Sequence, residues 1–97
     1  MTHPRLNERE IHAWLALNPA WDVRDGKLQR EFIFSDFKAA FAWMTRVAEV
    51  AEAMNHHPEW LNVYARVEVA LITHDSGGLT QLDLNMAQAM DDALSKR

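Results

Sequence analysis

The 97-residue chain has no cysteine, so disulfide staples, thiolate metal ligands and cysteine nucleophiles are excluded. It has three glycines, and they build neither a GxGxxG fingerprint nor a Walker loop; Gly77-Gly78 alone is only a turn. HExxH and GxSxG are missing as well. No stretch approaches the ~18 successive apolar residues of a membrane span, and Met1-Thr2-His3-Pro4-Arg5 opens no apolar leader. Basic charge is thin: ten Lys and Arg stand against fourteen Asp and Glu, a net charge of −4. The ten are scattered, which disfavours a nucleic-acid partner. No repeat or low-complexity segment is visible. These absences leave a cytoplasmic protein with no membrane partner.

What is present suits one domain over residues 1–97, with a single core. Apolar residues make up 48% and charged residues 25%, ordinary for a globular protein. Four Trp supply a large apolar payload for a core, a subunit interface or a flat ligand.

Start and stop signals divide the chain. Asn7 with Glu10 fits a capping box, and Ile11, Trp14, Leu15 and Leu17 make a short helical face ending at Asn18-Pro19. Asp25-Gly26 between residues 21–24 and 27–34 predicts a β-hairpin, with Leu28, Arg30, Phe32 and Phe34 on one face and Arg30 out of place there. Ser35 or Asp36 caps a long helix to about Met54. Its expected core stripe is Phe37, Ala40, Phe41, Met44, Val47, Ala48, Ala51 and Met54. Trp43 lies off that stripe's centre, which hints at a second apolar surface for an oligomer contact. A short strand near Leu61–Tyr64 precedes an alternating one, in which Ala65, Val67, Val69, Leu71 and Thr73 face the helices. Thr80 with Asp83 caps a last helix to about Leu94. The order α-β-β-α-β-β-α predicts an α+β fold, an antiparallel sheet with helices over one face.

Three of the five histidines gather at element ends: His56 and His57 after the long helix, and His74 after the strand. Imidazole titrates near neutrality, so a pair of such rings can give one proton and take another. Glu52, four residues before His56, would meet it on one helix face and favour its charged form. His56, His57, His74 and Asp75 are also metal-ligand types. Adjacent residues on an extended segment point apart, however, so the His pair would not grip one ion. No metal and no cofactor are expected. Helix capping accounts for Asp83, and His3 and His12 show no partner.

The run Glu52-Ala53-Met54-Asn55-His56-His57-Pro58-Glu59-Trp60, followed by Thr73-His74-Asp75-Ser76-Gly77-Gly78-Leu79-Thr80-Gln81-Leu82-Asp83, closely resembles the pterin-4a-carbinolamine dehydratase family. The resemblance implies a four-stranded antiparallel sheet with three helices on one face, assembled as homodimers or homotetramers. It implies loss of water from a 4a-hydroxytetrahydropterin, giving a quinonoid dihydropterin, in recycling the pterin of aromatic amino-acid hydroxylases. It places His56, His57 and His74 at catalytic positions with Glu52 in support, and Pro58, Trp60, Thr73 and Asp75 around the substrate. His56 and His74 are expected to carry the two proton transfers and His57 to orient the ring. Some relatives have Asp where this chain has Asn55, an amide that can hydrogen-bond but holds no charge. Relatives in some animals also stabilise dimers of a homeodomain transcription factor, so a binding module is the rival reading.

Overall fold

The computed structural model describes residues 3–95. Helix α1 (Glu8–Leu17) opens on the expected capping box: the Asn7 side chain accepts from the Glu10 amide, and the Glu10 carboxylate accepts from the Asn7 amide, both at 2.8 Å. Ile11, Trp14 and Leu15 pack against the core. Leu17, expected on that face, is instead exposed.

Strands β1 (Asp22–Arg24) and β2 (Lys27–Ile33) form the hairpin. Asp25 and Gly26 both take positive φ, 55° and 74°, as a two-residue turn matching the strand twist requires. Helix α2 (Phe37–Met54) is capped by Asp36. Strands β3 (Glu59–Val63) and β4 (Arg66–Leu71) pair across Tyr64-Ala65, so Ala65 turns rather than extending the strand. Helix α3 (Gln81–Ala93) starts at the Thr80–Asp83 capping box. The sheet order is β1-β2-β4-β3, antiparallel throughout. Helix α2 therefore carries the chain past the position of β4 to the far edge, and β4 returns to fill the middle. This is the α+β architecture expected, with three helices over one sheet face. Among the described residues no helix is long and apolar enough to cross a membrane.

The core lies between Leu28 and Phe32 of β2, Val67, Val69 and Leu71 of β4, and the helices. Arg30, the odd residue on that face, lays its guanidinium 4.2 Å over the Phe32 ring and pairs with Asp91 of α3. Helix α2 corrects the expected stripe. It buries Ala40, Trp43, Val47 and Ala51, while Phe37 and Phe41 stay about half exposed with their rings 5.6 Å apart. Trp43 is thus core, not a second surface: its indole N–H donates to the Met90 carbonyl at 3.0 Å, and its ring lies 4.4 Å from Phe32. The inward face keeps Ala40, Val47 and Ala51 of the expected stripe but is turned toward Trp43 and away from the two Phe.

Candidate active site

The site is assembled where three segments end. Helix α2 stops because Asn55 adopts a left-handed conformation (φ 53°, ψ 43°), its N–H still bonded to the last turn. Asn is among the few side chains that take this geometry cheaply. The reversal sends the next two residues apart. His56 is buried under the sheet's end, and His57 stays exposed.

This overturns the expected Glu52–His56 contact. The helix ends too soon, and Glu52 instead meets His57, with Nε2 and Oε2 2.6 Å apart. His56 has a different partner, Asp83, at 2.7 Å from Nε2 to Oδ1. Asp83 is fully buried in the first turn of α3. Its other oxygen accepts from the Thr80 amide at 2.9 Å and from the Thr73 hydroxyl at 2.8 Å. Thr73 can then accept from the Thr80 hydroxyl, 2.7 Å away. One carboxylate thus ties together the end of α2, the end of the sheet and the start of α3. Capping explained Asp83 in the sequence without revealing its second duty. Its partner lies 27 positions away, beyond any local pattern, and the one signal was its place at the end of the run that carries the resemblance.

His74 opens a short 3-10 turn, His74–Ser76, folded back by a bridge between Thr73 and Gly78. Its Nε2 lies 3.1 Å from Oε2 of Glu59, whose Oε1 accepts from Lys27 Nζ at 2.8 Å. The Lys27 ammonium first, and the His74 ring second, hold the Glu59 carboxyl below its usual range. A carboxylate only accepts hydrogen bonds. In all three histidines the contact is therefore Nε2–H donating, and among the described residues Nδ1 has no hydrogen-bond partner.

The rings meet in one open cleft of about 410 Å³, lined by His3, Asn55, His56, His57, Ile72, Thr73, His74, Asp75 and Leu82. That volume lies within the roughly 300–1,000 Å³ of small-molecule sites. Of the residues expected around a substrate, Thr73 and Asp75 line this cleft, whereas Pro58 and Trp60 are not among its walls. Trp60 alternates inward from β3 and packs beside Trp43, with ring centroids 6.2 Å apart. His3, given no role from sequence, is brought in by a Ser76 hydroxyl that donates to its carbonyl. Among the described residues no three His, Asp or Glu side chains converge as a metal cage.

Comparison with known proteins places this arrangement. The family model described as pterin 4 alpha carbinolamine dehydratase matches residues 4–93. A Solibacter usitatus protein named for pterin-4-alpha-carbinolamine dehydratase is 52% identical, over 90% of this chain and 92% of its own. A Rhizobium etli protein named likewise is 46% identical, over 100% of this chain and 98% of its own. The crystal structure of a Brucella melitensis protein, described as a transcriptional coactivator/pterin dehydratase, superposes with a TM-score of 0.89 at 42% identity. It covers 94% of this chain and 99% of that one. The match runs through the His-His-Pro turn, the Thr-His strand end and the capped third helix alike, and the chain belongs to the pterin-4a-carbinolamine dehydratase family.

Proposed function

We propose that residues 1–97 act as one catalytic domain in the cytoplasm, dehydrating a 4a-hydroxytetrahydropterin and so returning the pterin of aromatic amino-acid hydroxylases to use. The observation that carries this is the cleft itself: of the four histidines that line it, three are anchored through Nε2 by a carboxylate. Elimination needs two proton transfers. The C4a–O bond breaks with its electron pair going to oxygen, and an acid supplies the proton that makes the leaving group water. The N5–H proton goes to a base, and the electrons released form the C4a=N5 bond. Product and water balance the substrate with no oxidant or reductant.

His56 and His74 carry these transfers. Both line the cleft, and with Nε2 of each ring held by a carboxylate, Nδ1 is the nitrogen left to give or take the proton. His57, exposed and held by Glu52, orients the bicycle, with Thr73 and Asp75 at its rim. The test is decay of freshly generated 4a-carbinolamine with and without the protein, the spontaneous rate subtracted. An acceleration that falls about 10²–10⁴-fold in His74→Ala supports the reading. A folded His74→Ala variant with full activity overturns it.

A second reading concerns partners. Phe37 and Phe41, stacked and half exposed on α2, support self-association through that helix into a homodimer or homotetramer. Sedimentation of Phe41→Glu should then show a smaller species than the wild type. An unchanged sedimentation coefficient would remove α2 from the interface.

A further inference from the structure

Glu59 begins β3 on the sheet edge, and Lys27 begins β2 on the other side of β4. Ala70 of β4 is the register partner of both Glu59 and Gln29, and Lys27 lies two residues along β2 from Gln29 on that same face. A methyl group there leaves the middle strand low enough for the Lys27 side chain to reach Glu59 across it. Both oxygens of the carboxylate are consequently committed, Oε1 to the ammonium and Oε2 to the His74 ring.

His74 is the most solvent-exposed of the three carboxylate-anchored imidazoles, its side chain 72% accessible, and among the described residues Glu59 is the one group bonded to its ring. Without an anchor such a side chain samples several rotamers, and only some present Nδ1 to the cleft. Lys27 prevents Glu59 itself from wandering. The order is a chain of support: the cation holds the carboxylate, the carboxylate holds the ring, and the ring faces the substrate.

We infer that Glu59 is a positioning residue that fixes the His74 ring, through Nε2–H, with Nδ1 presented to the substrate. The role rests on the dehydration proposed above, but the ring's order can be read without turnover. Glu59 does not touch the cleft itself, and an exposed pair of this kind adds little to folding stability. Removing it should therefore change catalysis while leaving the melting temperature nearly unmoved.

Four proteins decide the matter: the wild type, Glu59→Ala, His74→Ala and the double variant, with Glu59→Gln as the conservative control. Glu59→Ala should lower kcat about 10- to 100-fold, the scale for a misaimed catalytic group, with KM less affected. The same substitution should cost nothing further in the His74→Ala background. Glu59→Gln should recover most of the rate, because its amide oxygen still accepts from Nε2–H although it no longer attracts Lys27. An equal loss in both backgrounds, or no rescue by Gln, would mean that Glu59 acts by another route. Carbon-13 relaxation of the His74 ring gives the independent measurement. A ring ordered in the wild type and mobile in Glu59→Ala supports positioning, and a ring equally mobile in both overturns it. If the wild type shows no dehydration at all, the proposed reaction fails and ring order alone decides the role of Glu59.

Discussion

Asp83 accepts hydrogen bonds from His56, Thr73 and the Thr80 amide in a fully buried position. An Asn there keeps the shape but supplies only one accepting oxygen, so its amide must face at least one donor across a contact that was a bond. Asp83→Asn should cost about 1–3 kcal/mol, the scale of an unpaired buried polar group, visible as a lower denaturation midpoint. It should also reduce turnover, since His56 would lose its anchor. Glu59 is the opposite kind of carboxylate, exposed and held below its ordinary value of 4.5 by Lys27 and then His74. Its folded pKa lies below its unfolded one, so its contribution is present above the unfolded value and is lost as pH falls through the folded value. The denaturation midpoints of wild type and Glu59→Gln should differ by only a small amount at neutral pH, as for any exposed pair, and converge below about pH 4.5. A gap that widened on acidification would mean that Glu59 is not held as a carboxylate by its neighbours.

At the scale of elements, the ends of helices decide where the site residues go, and the positions of those ends were legible in the sequence while their consequences were not. The capping boxes at Asn7 and Thr80 could be read because a reciprocal pair of side chains has a fixed spacing. The end of α2 could be guessed from Asn55, but not its consequence. A left-handed residue there moves Glu52 from His56 to His57 and gives His56 to a partner on another helix. Asn55→Val should therefore cost about 1–2 kcal/mol, the penalty of a branched side chain in that conformation. Asn55→Gly should be close to neutral, because glycine enters the region freely. Both effects can be read from chemical denaturation.

At the scale of the whole molecule, periodicity announced that α2 is amphipathic but not which way it faces. Phe37 and Phe41 share one side of the helix, Trp43 lies roughly 120–160° around the axis from them, and a count of apolar residues favours the two Phe. Packing favours Trp43, because its indole N–H reaches the Met90 carbonyl across the α2–α3 contact and its ring fills the space above Phe32. Long-range pairing of that kind leaves no trace in local spacing. The outcome separates two substitutions of similar appearance. Trp43→Ala removes a fully buried aromatic and should cost about 3–5 kcal/mol. A domain of this size has only about 5–15 kcal/mol to lose, so the variant should melt far below the wild type or fail to fold. Phe41→Ala takes away a ring that is already half in solvent and should leave a dilute monomer's stability within about 1 kcal/mol. If α2 is an interface, the wild type should gain stability as protein concentration rises and the Phe41→Ala variant should not, because association stabilises only the folded chain that can associate. Melting curves at several concentrations distinguish the cases. A Phe41→Ala variant as damaged as Trp43→Ala at every concentration would show that the two rings share one core after all.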